Sequence, residues 1–235
     1  MIRITLGAVL IAFLATFKAT PVFIKLLKKA GISGRDQNKP DKPEVAEMGG
    51  FAINWGFGLA MVAAIAYIAY LNETIHEAYF LVAALATIFM ISFIGVIDDL
   101  LSMPQKVKAV LPGFAGLCLM AVNAGVTQMN IPFIGIVDFG LFYPFIVFMG
   151  ITGAANAYNI YEGFNGQSSG VGAISFLTMM LAAWITGQTE AAIIAGSMLG
   201  ATIAFWWYNK YPAKIFEGNV GADVNRIRQQ QIALF

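Results

Sequence analysis

The chain alternates long apolar runs with short polar connections. A bilayer core asks for roughly 20 apolar residues per helix, and on that rule membrane spans are predicted over 4–27, 49–71, 78–97, 107–124, 141–156, 170–186 and 191–208. The fourth and fifth are short enough to be partly re-entrant. Between them the stretch TQMNIPFIGIVDFG combines β-branched residues, Pro132, two glycines and a rough alternation, which predicts a small extracytoplasmic β-hairpin rather than another helix. The expected fold is therefore an all-α polytopic membrane protein of about seven transmembrane helices, with that hairpin between helices four and five. The first run reads as a membrane helix and not a cleaved signal peptide, because it continues through Lys18 and Pro21 into VFIKLLKK without a small-residue cleavage site.

Basic residues remain on the cytoplasmic side of a membrane. Lys25, Lys28, Lys29, Arg35, Lys39 and Lys42 follow the first span, Lys106 and Lys108 the third, and Lys210, Lys214, Arg226 and Arg228 the seventh. The alternate connections, NETIHE, the hairpin and GQTE, contain neither Lys nor Arg. This predicts an external N-terminus and a cytoplasmic C-terminus. It also places IGVIDDLLSMPQKVK, NAYNIYEGFNG and NKYPAKIFEGN together on the cytoplasmic face, as three parts of one site.

Composition agrees with lipid as the solvent: 59% of residues are hydrophobic and 11% charged, with a mean hydropathy of +0.73. A net charge of +1 gives no footprint for a nucleic-acid partner, so charge acts locally. One cysteine and one histidine exclude a disulfide framework and a Cys/His zinc site. Cys118 lies in an apolar run and reads as packing; His76 reads as a solvated loop residue. The first cytoplasmic connection, GISGRDQNKPDKPEVAEMGG, is rich in Pro, Gly and both charge signs and reads as a loop.

Asp98 and Asp99 end the third apolar run. Carboxylates at a helix C-terminus face the negative end of the helix dipole, at a cost of roughly 0.3–1 kcal/mol each, so a divalent cation, Lys106 or Lys108 is expected to compensate. Adjacent helical residues point about 100° apart, which suits the two acids to distinct roles. A lysine beside such a site also suits a phosphate. In NAYNIYEGFNG, Asn156 and Asn159 share a helical face, while Gly163 and Gly166 break the helix and let backbone approach a ligand. Such amides serve equally as helix caps, as glue between helices, or as oxygen ligands for a hard cation such as Mg²⁺. Lys18, within the first span, either snorkels to the interface or faces the bundle interior.

These motifs, in order, resemble the polyprenyl-phosphate N-acetylhexosamine-1-phosphate transferases (glycosyltransferase family 4): GRDQNKP with AEMGG, GVIDDLL, KAVLPGFAGL, NAYNIYEGFNG and NKYPAKIFEGNVG. The amide-bearing form of the fourth motif is similar to the archaeal and eukaryotic branch, which uses UDP-GlcNAc and dolichyl phosphate. The resemblance implies transfer of GlcNAc-1-phosphate to a polyprenyl phosphate with release of UMP, in the plasma membrane of an archaeon, with the active face cytoplasmic. It implies Asp98 and Asp99 at the reacting phosphates, one accepting the lipid phosphate's proton, and Lys108 binding phosphate. It implies Asn159 and the position of Asn219 as ligands of Mg²⁺, with Mn²⁺ the alternative. Asn165, Phe216 and Glu47 would hold the nucleotide. Membrane lipid is a further partner, and a homodimer is an allowed assembly.

Two departures accompany the resemblance. The family's GDxG aspartate is replaced here by Asn219, which removes a negative charge from the cation site; Asp223 follows four residues later. The family also continues through about three further spans and a sugar-gripping loop, whereas this sequence ends VNRIRQQQIALF. The expected organisation is an incomplete transferase domain over 1–221 and an atypical polar tail over 222–235. An inactive member of the family is the second reading. A transporter or channel, which would gather ionisable groups near mid-bilayer, is the third.

Overall fold

The computed structural model describes residues 2–36, 39–71, 75–101, 103–122, 127–160 and 163–218. Asn219, the tail 222–235 with Asp223, and Glu162 lie outside them. The chain is an all-α polytopic membrane protein. Helix α1 spans Ile2–Lys29, and β1 (Ser33–Arg35) and β2 (Glu44–Ala46) lie in the connection that follows. Next come α2 (Gly50–Leu71), α3 (Ile75–Leu101), α4 (Gln105–Val110), a 3₁₀ segment (Leu111–Gly116) and α5 (Leu117–Ala121). The strands β3 (Gln128–Ile131) and β4 (Gly135–Asp138) precede α6 (Tyr143–Ile160), α7 (Gln167–Ile185) and α8 (Thr189–Asn209).

Among the described residues six helices are long and apolar enough to cross a membrane, not seven. The difference is the predicted fourth span, which is three short pieces instead of one helix. Pro112 opens the 3₁₀ segment, where it cannot donate to an α-helical ladder. Gly113 and Gly116 let this segment press on α6: a Cβ at Gly113 would lie 2.5 Å from the Phe148 ring and from Thr152 Oγ1. At 1.5 Å per α residue and 2.0 Å per 3₁₀ residue, the three pieces laid end to end would rise at most about 28 Å. The hairpin appears as expected, with β3 and β4 antiparallel and Ile131 opposite Gly135.

The first connection is more ordered than its Pro and Gly content suggests, since β1 and β2 pair antiparallel with Gly34 opposite Val45. His76, expected in a loop, stands in the first turn of α3.

Helix α8 is the centre of the bundle and packs on α1, α2 and α7. Small residues make this possible, as is usual where lipid supplies no hydrophobic drive between helices. A Cβ on Gly196 would lie 2.9 Å from Thr5 Cγ2, and one on Gly200 would overlap the Val9 carbonyl oxygen. The buried core behind these contacts includes Phe57, Met61, Leu81, Ile193 and Phe205. Leu6, Leu10 and Leu14 of α1 face outward, as does Lys18, whose outward position matches the snorkelling alternative. Pro21 leaves Phe17 without its in-helix N–H partner; the Tyr208 hydroxyl donates to that carbonyl at 3.2 Å.

Candidate active site

The α3 C-terminus, α4, the end of α6 and the segment after α8 converge on one face of the bundle around a cavity of about 530 Å³. Asp98, Asp99, Lys108, Asn156, Asn159 and Glu217 line its polar end. From there it follows α3 past Ile94 and Ile91 to Ile88, about 15 Å back along the helix at 1.5 Å per residue. One wall is thus apolar and lies at membrane depth, while the polar end sits where helices terminate.

The compensation expected at the α3 terminus comes from Lys108. Its Nζ lies 2.6 Å from Asp98 Oδ2, both side chains being largely buried, and Met103 N–H donates to Asp98 Oδ1 at 3.1 Å. Lys106 is exposed. Asp99, half-buried and also on the cavity wall, takes a different direction, as the 100° step predicts. A Cβ on Gly218 would lie 2.7 Å from Asp99 Oδ2, so the segment after α8 runs directly against this acid.

Asn156 and Asn159 divide the alternatives left open by their spacing. Asn156 donates to the Ala109 carbonyl at 3.0 Å and to Thr152 O at 2.7 Å. It therefore ties α6 to the helix that carries Lys108. Asn159, one turn later, lines the cavity.

Asn209, the last residue of α8, joins two loops to the bundle. Its Oδ1 accepts from Gly166 N–H at 3.1 Å and from Ser169 Oγ at 2.7 Å, and its Nδ2 donates to Ile215 O at 2.9 Å. Gly166 has φ +75°, and a Cβ there would lie 2.9 Å from Lys210 Cα; a side chain is thus disfavoured by both backbone and space. Beyond Asn209 the chain pairs with the first connection through a parallel bridge between Ile215 and Ala46. Phe216 N–H donates to Ala46 O, and Gly49 N–H to Phe216 O, each at 2.8 Å; Gly50 N–H donates to Glu217 O at 2.9 Å. The AEMGG and IFEG motifs, about 170 residues apart, are one backbone-bonded unit at the start of α2.

The expected nucleotide residues are not on the cavity wall. Asn165 Nδ2 donates to Asp36 Oδ2 at 3.0 Å, and Lys39 pairs with the same oxygen at 2.9 Å and lies over the Tyr211 ring. Phe216 is held through its backbone. Glu47 packs on Gly34, and burial raises its pKa. These groups form a neighbouring cluster of loops, while Asp98, Asp99, Lys108 and Asn159 share the cavity.

Two acids in the motifs received no role from the sequence. Asp36 of GRDQNKP is buried at the centre of the loop cluster. Glu217 of IFEG reaches the cavity, where Ser168 Oγ donates to its Oε2 at 2.7 Å and Tyr158 Oη to its Oε1 at 3.2 Å. Burial pushes its carboxyl above the usual range, against the lowering effect of those hydroxyls. Its place two residues before Asn219 was the one available signal.

Comparison with known proteins bears on this architecture. A protein of Saccharolobus solfataricus provisionally named as a UDP-N-acetylglucosamine–dolichyl-phosphate N-acetylglucosaminephosphotransferase is 36% identical over 216 residues, covering 91% of this chain and 65% of the relative. A Sulfolobus acidocaldarius protein with the same provisional name is 35% identical, covering 91% of this chain and 66% of the relative. The chain thus spans just under two thirds of the length of these two archaeal relatives. The phospho-N-acetylmuramoyl-pentapeptide-transferase of Halalkalibacterium halodurans is 30% identical over 94% of this chain and 71% of its own. The model of glycosyl transferase family 4 matches residues 81–224, which include both the α3 acids and the IFEG segment. On these matches the chain belongs to glycosyl transferase family 4.

Proposed function

We propose that this site transfers GlcNAc-1-phosphate from UDP-GlcNAc to a polyprenyl phosphate of the dolichyl type, releasing UMP, as the first step of lipid-linked glycan assembly. The observation that carries the reading is the cavity itself. Carboxylates, an ammonium and an amide stand at the end of a groove whose apolar wall continues along α3. A phosphate with a long hydrocarbon tail has that same polarity. The archaeal relatives support UDP-GlcNAc and dolichyl phosphate as the substrates. The basic connections support a cytoplasmic active face, and the same relatives an archaeal plasma membrane.

The lipid phosphate oxygen attacks the β-phosphorus of UDP-GlcNAc, and the bond from that phosphorus to the bridging oxygen breaks, leaving UMP. Asp98 holds Lys108 by their ion pair, and Lys108 presents its charge to the phosphates. Asp99 takes the proton when the lipid phosphate arrives as the monoanion, since its carboxylate is on the cavity wall and less buried than that of Asp98. The Asn156 bonds to Ala109 O and Thr152 O keep the Lys108 helix at a fixed distance from α6. Oxygen donors at the polar end, with the Asn159 carbonyl foremost, fit Mg²⁺, which takes one or two carboxylates and otherwise keeps water and phosphate. Such a cation, when bound, supplies neutralisation of charge developing on the phosphates. Asn165, Phe216 and Glu47 sit in the adjoining loop cluster, the direction in which the uridine would extend. Membranes containing the wild-type protein should release UMP from UDP-GlcNAc and dolichyl phosphate in Mg²⁺. Asp99→Ala and Asn159→Ala should not, and full activity in Asp99→Ala would refute the assignment.

A further inference from the structure

We infer that Glu217 is the carboxylate ligand of the divalent cation in this chain, standing in for the aspartate that is Asn219 here. The inference rests on the proposed transferase reading and adds to it a ligand outside the family's GDxG pattern. Four observations carry it. First, the cavity wall contains three carboxylates, those of Asp98, Asp99 and Glu217. Asp98 is committed to Lys108 at 2.6 Å. Second, among the described residues Glu217 accepts from two hydroxyls, Tyr158 Oη and Ser168 Oγ, one on each oxygen. Neutral donors orient a carboxylate without neutralising it, and each oxygen has a second lone-pair direction. A half-buried carboxylate so oriented, with no cation paired to it among the described residues, is suited to receive one.

Third, the segment that carries Glu217 is fixed relative to Asp99. Gly50 N–H donates to Glu217 O at 2.9 Å, and Gly218 passes close enough to Asp99 that a Cβ would lie 2.7 Å from its Oδ2. Fourth, replacing the pattern's aspartate with Asn219 removes one negative charge, and a glutamate two residues earlier restores it. Among the described residues no three His, Cys, Asp or Glu side chains come together as a self-sufficient metal cage. A hard cation needs no such cage: one carboxylate and an amide suffice, the remaining positions being taken by water and substrate phosphate. With Glu217 and Asn159 as the protein ligands, Asp99 is left to its part at the lipid phosphate.

The test uses the purified 235-residue protein in detergent, without substrate, with Mn²⁺ as the probe and free Mn²⁺ read by its electron paramagnetic resonance signal. Glu217→Gln retains shape and a partner for both hydroxyls. Loss of even an outer-shell partner weakens metal sites about 10- to 100-fold, so this variant should bind Mn²⁺ at least about tenfold more weakly, as should Asn159→Ala. Wild-type affinity in Glu217→Gln alongside weakened binding in Asn159→Ala would overturn Glu217 as a ligand and leave the transferase reading intact. Absence of Mn²⁺ binding by the wild-type protein would overturn both. A second measurement needs no variant: carbodiimide should label Glu217 of the wild-type protein in EDTA and be blocked by Mn²⁺, as read by peptide mass spectrometry. Equal labelling with and without bound Mn²⁺ would overturn the proposal.

Discussion

Asn209 offers the sharpest quantitative test of how the loops are held. Asn209→Ala deletes three hydrogen bonds in a buried setting, two accepted by Oδ1 from Gly166 N–H and Ser169 Oγ and one donated by Nδ2 to Ile215 O. Asn209 and Ser169 are 4% and 0% exposed, so water cannot readily replace the lost amide. Each such bond contributes about 1 kcal/mol net, and a stranded buried partner costs about 1–3 kcal/mol. The expected loss is therefore about 3 kcal/mol, or about 6–12 °C in Tm for a chain of this size. Asn209→Asp should be no milder, because a carboxylate keeps the two acceptor bonds but turns an anionic oxygen toward Ile215 O. Thermal unfolding of the purified protein followed by tryptophan fluorescence, together with UMP release, measures both consequences. A Tm within about 2 °C of wild type in Asn209→Ala would refute the claim that this residue holds the NAYNIYEGFNG and IFEG segments to the bundle.

Lys108→Met leaves Asp98 buried without its cation; loss of one partner of such a pair costs about 3–5 kcal/mol, so Tm should fall and UMP release should be lost, both read on the same purified sample. Gly200→Ala forces a methyl onto the Val9 carbonyl, and overpacking of about 1–3 kcal/mol should lower Tm by separating α1 from α8. For Glu47, burial raises the folded-state pKa above the ordinary 4.5, so the protonated form is the one the fold favours. Its contribution to stability is complete below pH 4.5 and is lost as pH rises through the folded-state pKa. Glu47→Gln should therefore have a higher Tm than wild type at neutral pH, and the gap should close on acidification to pH 4.5.

The apolar helices were legible because they rest on a long-range average, the length of each apolar run. The hairpin was legible from its local turn chemistry around Pro132 and Gly135. The broken segment was not, since residues 109–122 have no polar side chain, and hydropathy does not distinguish a helix from a 3₁₀ turn opened by Pro112. The match between Asp98 and Lys108 followed from an electrostatic need at a helix terminus. Asn209 was invisible because its partners lie on two other segments, the start of α7 and the chain around Ile215, and nothing local marks an amide as a tie. The pairing of Ala46 with Ile215 and Phe216 is likewise a product of α8 returning to the start of α2. For the same reason the sequence pooled Asn165, Phe216 and Glu47 with the acids on one face, whereas the folded chain divides them between a cavity and an adjoining loop cluster.

The polar end of the cavity is proposed to transfer a phosphosugar, not a sugar, to a lipid phosphate. UDP-GlcNAc labelled with ³²P at the β-phosphate separates the two outcomes. Incubated with wild-type membranes, dolichyl phosphate and Mg²⁺, it should place the label in the organic-soluble lipid fraction and leave unlabelled UMP in the aqueous phase. Recovery of the label in UDP, with GlcNAc alone on the lipid, would contradict it.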